Sequence, residues 1–196
     1  MQIQAQTTFP TLIEAIWPQR RLLHNIGLVL LFTLLIALSA QIAIPLPFSP
    51  VPITGQTLTV LLTGILLGSR LGAITLVTYL VEGLMGLPVF AQGLSGPGVL
   101  VGPTGGYLIG FVAAAAVVGF LAERGWDRRM ATTLLAMLTG NLVIYLCGVA
   151  WLSYYLGSLS AALAGGLLPF LAGDALKIIL AMLALPGSWA FLSRKS

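Results

Sequence analysis

Residues 163–185 read Leu-Ala-Gly-Gly-Leu-Leu-Pro-Phe-Leu-Ala-Gly-Asp-Ala-Leu-Lys-Ile-Ile-Leu-Ala-Met-Leu-Ala-Leu, and this stretch decides the class of fold. A membrane helix needs about 20 predominantly apolar residues, so the stretch is long enough to cross a bilayer. Its two ionisable residues, Asp174 and Lys177, are three positions apart and share one helix face. Charges inside a bilayer usually pair or line a polar cavity. The pair is therefore either a structural ion pair or a donor and an acceptor for a ligand with N–H and C=O groups.

The composition extends this reading to the whole chain. Of 196 residues, 58% are hydrophobic and 7% are charged, whereas a soluble domain carries about 25% charged residues. The net charge of +4 does not indicate nucleic-acid binding, because the basic residues form no patch or run. Cys147 is the single cysteine and His24 the single histidine, so we expect no disulfide, no metal site and no catalytic histidine.

Hydrophobic runs predict an all-α membrane protein with six transmembrane helices. The runs cover residues 26–44, 53–68, 71–87, 104–122, 130–156 and 167–192. The second and third are at or below the length needed to cross, so we expect them to be tilted, bent or short of one surface.

The basic residues predict the orientation of these spans. If the N-terminus is cytoplasmic, six spans return the C-terminus to the cytoplasm, and all basic loop residues fall on that side. They are Arg20, Arg21, Arg70, Arg124, Arg128, Arg129, Arg194 and Lys195. The outer segments hold no Lys or Arg, which is a strong positive-inside signal.

Residues 1–21 are predicted to form a cytoplasmic amphipathic segment that precedes a six-helix domain at residues 22–196. Apolar residues recur at helical spacing between Phe9 and Trp17, Thr11 and Glu14 can form a capping box, and Pro18 ends the segment. Such a helix lies on the inner membrane surface or docks against a partner subunit.

Small residues predict close helix contacts. One ladder runs from Gly102 through Gly106 and Gly110, and another from Gly64 to Gly72. Ser39 and Ala43 form a further small pair late in the first span, and we expect this pair to contact a partner chain.

Two uncharged outer loops are predicted to fold back over a site. Residues 45–56 contain four prolines, and residues 88–103 are rich in glycine. Irregular backbone at the membrane is tolerated where it lines a cavity. Gln56, Gln92 and Tyr107 would then supply neutral hydrogen-bonding groups on the same side as Asp174.

Other polar residues and other function classes remain open at this point. Asn141 with Tyr145, and Tyr79 with Glu82, form pairs on helix faces that either reach the cavity or are satisfied between helices. An intramembrane enzyme would have to use Glu82, Asp174 and Lys177, which lack a recognisable nucleophile–base set. No G-x-x-x-x-G-K-[ST] segment is present, so ATP would have to be hydrolysed by another chain.

Five ordered motifs resemble the BioY family, the biotin-binding S components of energy-coupling factor vitamin transporters. The motifs are Ile44-Pro-Leu-Pro, Val51-Pro-Ile-Thr-Gly-Gln-Thr57, Gly83-Leu-Met-Gly-Leu-Pro-Val-Phe-Ala91, Gly102-Pro-Thr-Gly-Gly-Tyr-Leu-Ile-Gly-Phe111 and Gly173-Asp-Ala-Leu-Lys177. The resemblance covers nearly all of residues 26–190.

This resemblance implies a function and a set of partners. The chain would be a multi-pass protein of the bacterial plasma membrane that captures biotin from outside, without catalysis or a cofactor. Its partners would be a transmembrane coupling subunit and two ATPase subunits. A solitary or homo-oligomeric biotin transporter is the alternative.

Biotin also gives each candidate residue a chemical role. Lys177 would donate to the ureido carbonyl and Asp174 would accept from a ring N–H. The remaining candidates are Gln56, Gln92 and Thr54 for the polar ring, and Phe48, Val89, Phe90 and Tyr107 for the thioether ring and aliphatic tail.

Overall fold

The computed structural model of the protein describes residues 9–18 and 21–193, and these residues are mostly helical. The helices are α1 (Leu12–Ile16), α2 (Leu22–Gln41), α3 (Gln56–Leu67), α4 (Ser69–Leu84), α5 (Pro97–Val101), α6 (Gly105–Ala122), α7 (Met130–Leu156), α8 (Leu159–Gly166) and α9 (Leu171–Ser193). Strands β1 (Ala43–Leu46) and β2 (Ser49–Thr54) lie between α2 and α3, and 3₁₀ turns occupy Ala91–Gly93 and Leu168–Phe170.

Four helical stretches in the described part of the chain are long and apolar enough to cross a membrane. They are Leu22–Gln41, Gly105–Ala122, Met130–Leu156 and Leu159–Ser193. The predicted run 130–156 coincides with α7, and the run 104–122 begins one residue before α6. The last stretch is divided by the turn around Pro169, so a short α8 precedes α9.

The second and third predicted runs form short helices, as their lengths indicated. Helix α3 has 12 residues and α4 has 16, which correspond to about 18 and 24 Å at 1.5 Å per residue. Gly68 joins them with a φ of +86°, a conformation that favours glycine. Both helices are therefore shorter than the roughly 30 Å of hydrocarbon in a bilayer.

Helix α6 lies at the centre of the bundle and packs against α3, α4 and α7. Small residues allow these close approaches, as the sequence predicted. Gly64 of α3 lies against the Ala115 backbone of α6, and Gly106 of α6 lies against Trp151 and Cys147 of α7. Helix α2 is far less buried, with exposed leucines along most of its length.

An antiparallel hairpin, β1–β2, is the exception to the predicted all-α fold. Ala43 pairs with Thr54 and Ile44 with Ile53, with a register irregularity before Leu46 pairs with Ser49. A two-stranded ribbon tolerates the four prolines of this segment because many of its N–H groups face away from the ladder. The Ser49 hydroxyl donates to the carbonyl of Gly165 in α8, 2.7 Å away, which ties the hairpin to the bundle.

The opposite end of the bundle, here called the α1 end, gathers the N-terminal segment and the basic loops. The Phe9 amide donates to the Glu123 carbonyl at 2.7 Å. The Arg128 guanidinium lies over the rings of Phe9, at 4.5 Å, and Trp189, at 4.2 Å. Burial raises the pKa of the neighbouring Asp127 carboxyl, although the hydrogen bond from the Trp189 indole opposes that shift.

Helix α1 has the predicted capping box, in which Thr11 and Glu14 cap each other. It packs on the bundle itself, against α3 and α9, while Ile16 and Trp17 remain about half exposed. Among the predicted inner basic residues, Arg20, Arg194 and Lys195 lie outside the described residues. The predicted boundary between the N-terminal segment, residues 1–21, and the membrane domain, residues 22–196, stays a prediction.

Candidate functional site

A cavity of about 360 Å³ lies at the hairpin end of the bundle. Its wall is mostly apolar and is built from the hairpin, the loop before α6 and helices α3, α6, α7 and α9. The lining residues are Pro50, Val51, Pro52, Thr54, Gln56, Thr57, Phe90, Ala91, Gln92, Leu94, Gly98, Val99, Gly102, Pro103, Thr104, Tyr107, Leu108, Phe111, Ile144, Tyr145, Phe170 and Lys177. Both predicted outer loops thus fold over a cavity.

Among the described residues that line the cavity, Lys177 supplies the one cationic group. Its ammonium donates to the Thr57 hydroxyl at 2.6 Å and to Oδ1 of Asp174 at 3.2 Å. The ion pair follows from the three-residue spacing on α9, as predicted, whereas Thr57 comes from the first turn of α3. The Lys177 side chain is 15% exposed, and it is the member of the ion pair that reaches the cavity.

Asp174 lies behind Lys177 and does not line the cavity. Its carboxylate accepts from Lys177 and from the Thr57 hydroxyl, 3.4 Å away, on one oxygen and from the Tyr145 hydroxyl on the other. The sequence suggested that Asp174 hydrogen-bonds a ligand directly. In the structure its surrounding groups come from three helices of this chain, which leaves it 4% exposed.

Gln56 joins the hairpin end of α3 to α4. Its side-chain amide donates to the Tyr79 hydroxyl at 2.7 Å, and that hydroxyl donates to the Val89 carbonyl at 2.8 Å. The Thr54 hydroxyl donates to the Gln56 carbonyl oxygen at 3.4 Å. Gln56 and Thr54 both reach the cavity, and the Gln56 carbonyl oxygen has a second lone pair with which it can accept from a ligand.

Phe90 and Gln92 reach the cavity from the glycine-rich loop. The Phe90 ring packs edge-on against Tyr79, with centroids 5.6 Å apart, and fits only because Gly83 has no side chain in its way. Gln92 is exposed and has a φ of +61°, a left-handed conformation uncommon for residues other than glycine. This backbone conformation therefore sets the direction in which the Gln92 side chain leaves the loop.

Tyr107 contributes its ring to the cavity, while its hydroxyl donates to the Gly166 carbonyl at 2.7 Å. The ring lies directly against Gly148 of α7, where a Cβ would overlap it. The hydroxyl of Tyr107, which was expected to bond a ligand, therefore bonds α8 instead. The part of Tyr107 that lines the cavity is its ring.

Two predicted cavity residues and the two predicted partner-contact residues lie outside the cavity wall. Phe48 is 68% exposed at the hairpin turn and does not line the cavity, because the residues that turn inward begin at Pro50. Val89 packs against the core beside Phe90. The backbone of Ser39 lies against Gly55, and Ala43 pairs with Thr54, so both predicted partner-contact residues also touch their own chain.

Sequence reasoning did not single out Thr57 and only mentioned Tyr145. Thr57 is 120 residues from Lys177 and Tyr145 is 29 residues from Asp174. Helical spacing relates residues within one helix and cannot show which helices meet. The one available signal was the polar character of both residues within apolar runs, since such groups need partners in a membrane.

The cavity is suited to binding rather than to bond cleavage. It offers one ammonium balanced by a buried carboxylate, several neutral polar groups and aromatic surface. Within residues 9–18 and 21–193, no group of three His, Cys, Asp or Glu side chains could hold a metal ion. A small, mostly uncharged ligand with a compact polar head matches this arrangement.

The sequence of this chain is similar to those of known proteins. The BioY family profile matches residues 7–194. The biotin transporter BioY of Thermotoga maritima is 42% identical over 153 residues, covering 78% of this chain and 88% of the relative. The BioY protein of Rhodobacter capsulatus is 40% identical over 171 residues, with 80% and 88% covered.

A solved structure supports the assignment. The crystal structure of the S component for biotin from an ECF-type ABC transporter matches with a TM-score of 0.74 at 27% identity. The match covers 89% of this chain and 92% of that one. The chain therefore belongs to the BioY family.

Proposed function

We propose that this chain is the biotin-binding membrane subunit of an ATP-driven importer of the energy-coupling factor type. The observation that carries the proposal is the apolar cavity with the Lys177 ammonium in its wall, in a chain of the BioY family. A coupling subunit in the membrane and two ATPase subunits would complete the transporter. The named relatives are biotin transporters, which supports transport rather than catalysis.

The ureido ring of biotin matches the polar part of the cavity. Its carbonyl would accept from Lys177, and its N–H groups would donate to neutral acceptors, foremost the Gln56 carbonyl. Asp174 would act by holding the Lys177 ammonium in place through the ion pair. Gln92 and Thr54 would close the polar ring, and Phe90 and Tyr107 would cover the thioether ring and tail. The tail carboxylate would meet backbone N–H groups of the glycine-rich loop.

The cavity would open to the outside of the bacterial plasma membrane, with both termini cytoplasmic and six crossings. Charge supports this orientation, because the α1 end gathers Arg124, Arg128 and the 123–129 loop. The described residues that line the cavity at the other end include no Arg and one Lys. The excess of basic residues at one end is the pattern expected of a cytoplasmic face.

We expect the purified protein to bind biotin and not thiamine or riboflavin. Thiamine has no ring carbonyl to accept from Lys177, and riboflavin carries its carbonyl and N–H groups on a fused three-ring system that is larger than the bicyclic head of biotin. Calorimetry with the three vitamins tests this selectivity, and mass spectrometry of the detergent-purified protein identifies any ligand that co-purifies. Absence of heat with biotin at micromolar protein would reject the proposed substrate.

We expect a bulky residue at Ser39 or Ala43 to block ATP-dependent biotin uptake. The proposal is that Ser39 near the end of α2 and Ala43 at the start of β1 leave a shallow groove for a helix of the coupling subunit, since small side chains allow a close approach. Ser39→Trp and Ala43→Trp are compared with Leu38→Trp, an exposed neighbour. Labelled-biotin uptake is measured in cells that contain the ATPase partners, alongside biotin binding by each purified variant.

The paired measurement separates two roles of the Ser39 and Ala43 surface. Lost uptake with retained binding supports a coupling surface. Joint loss of binding and expression assigns these residues to internal packing against Gly55 and Thr54, and normal uptake places the coupling surface elsewhere.

A further inference from the structure

We propose that Thr57 and Tyr145 are positioning residues that fix the Lys177 ammonium so that a single N–H points into the cavity. This inference rests on the proposed function, since it concerns how the same cavity recognises a carbonyl group. Neither residue is assigned a role by the sequence motifs alone, and each acts through the Asp174–Lys177 pair.

The hydrogen bonds of Lys177 leave one donor for a ligand. An ammonium has three N–H groups. Thr57 accepts one at 2.6 Å and Asp174 accepts another at 3.2 Å. Among the described residues these are its acceptors, and the side chain lines the cavity. The hydrogen bonds to Thr57 and Asp174 therefore fix the orientation of the ammonium and with it the direction of the third N–H, which the flexible lysine side chain alone would not do.

Thr57 is held in place by its own position in the fold. It is the second residue of α3 and follows the last residue of the hairpin, Thr54, by three positions. Its hydroxyl accepts from Lys177 and lies 3.4 Å from Oδ1 of Asp174. A β-branched side chain has few rotamers in a helix, so the acceptor that orients Lys177 is itself fixed.

Tyr145 holds the other side of Asp174. Its hydroxyl donates to Oδ2 of Asp174, while Lys177 donates to Oδ1. The two oxygens thus have different partners, one from α7 and one from α9, and this prevents rotation of the carboxylate. Tyr145 also lines the cavity with its ring, so a contact between the ring and a ligand would bear on the ion pair.

One directed donor predicts selectivity for a carbonyl oxygen. Biotin and desthiobiotin share the ureido carbonyl, whereas 2-iminobiotin carries a cyclic guanidine in its place, which is protonated near neutral pH and presents N–H donors and a positive charge. A fixed ammonium N–H stabilises the first two ligands and repels the third. Loosening the ammonium should therefore reduce discrimination against 2-iminobiotin and leave the ratio of biotin to desthiobiotin unchanged.

The first test replaces the Thr57 hydroxyl with a methyl group. We expect Thr57→Val to weaken biotin binding about tenfold, the effect of losing a hydrogen bond to a charged group. Thr57→Ser keeps the hydroxyl and should restore affinity to within about twofold. Thr139→Val is the matched control, since that exposed hydroxyl bonds only its own helix at Leu135.

The second test removes only the Tyr145 hydroxyl. Tyr145→Phe keeps the ring in the cavity and should weaken biotin about fivefold to tenfold. Tyr155→Phe, at an exposed position of the same helix, serves as its control. Each variant is titrated with biotin, desthiobiotin and 2-iminobiotin, using displacement of labelled biotin where binding is weak.

The three ligands separate the possible outcomes. A smaller biotin-to-iminobiotin ratio in Thr57→Val and Tyr145→Phe, with rescue by Thr57→Ser, supports positioning. An equal loss for all three ligands assigns both residues a structural role and overturns the inference. Unchanged affinities overturn it as well. If the wild-type protein binds no biotin, the proposed function itself fails.

Discussion

Replacing Lys177 with methionine is expected to weaken biotin binding at least tenfold, or about 1.4 kcal/mol at 25 °C. The substitution keeps an unbranched side chain of similar length and removes the ammonium that lines the cavity. The ureido carbonyl of biotin would then lie against an apolar wall that offers it no donor. A polar group that is buried without a hydrogen bond loses its bonds to water and gains none in return. Calorimetry with biotin measures the change.

The single variant also leaves Asp174 without its cation, and this consequence needs a control. A buried charge that loses its partner is strongly destabilising, and Asp174 is 4% exposed. The double variant Asp174→Asn/Lys177→Met removes both charges, so we expect it to regain thermal stability relative to the single variants. It should not regain biotin affinity, because the ammonium donor is still missing.

The double variant distinguishes a ligand-binding pair from a purely structural one. If the pair only joins α9 to α3 and α7, removing both charges restores folding and binding together. A monodisperse double variant with wild-type affinity for biotin would therefore reject the role of Lys177 in recognition.

Hydropathy predicted α6 and α7 well because the bilayer imposes the length of a crossing helix, whereas α2 covers Leu22–Gln41 rather than the predicted run 26–44, whose last residues enter β1. The limits of α7 match the predicted run, and α6 differs by one residue. The small ladders were also informative, since Gly64 and Gly106 both lie at helix contacts. Helix length depends on the thickness of the bilayer, and a ladder of small residues depends on the spacing along one helix. Both can be read from the sequence alone.

The site was predicted less completely because it depends on which helices meet. The Asp174–Lys177 pair follows from local spacing, but its partners Thr57 and Tyr145 come from other helices. Phe48 was expected in the cavity and instead lies at the exposed turn of a hairpin. The hairpin was not predicted, and proline inside a strand removes a ladder donor, so a segment with four prolines has little strand signal.

Adding one methyl group at Gly64 is expected to destabilise the whole bundle. An ideal Cβ there would lie 2.7 Å from a methyl carbon of Val118 and 2.8 Å from the Cα of Ala115. Gly72 of α4 also approaches Gly64 closely, so three helices meet at this position. A flexible side chain could move away, whereas the α6 backbone can yield only if the helices separate.

We therefore expect Gly64→Ala to lower the melting temperature in detergent by about 2–12 °C, since overpacking a tight contact costs about 1–3 kcal/mol. Gly27→Ala is the matched control, because nothing lies within 4 Å of a Cβ at that position on α2. Alanine has a higher helix propensity than glycine, so the control should melt at or slightly above the wild-type temperature. The two substitutions are chemically identical and should act in opposite directions. A Gly64→Ala variant that melts at or above the wild-type temperature would show that α3 and α6 do not pack as closely as the structure has them.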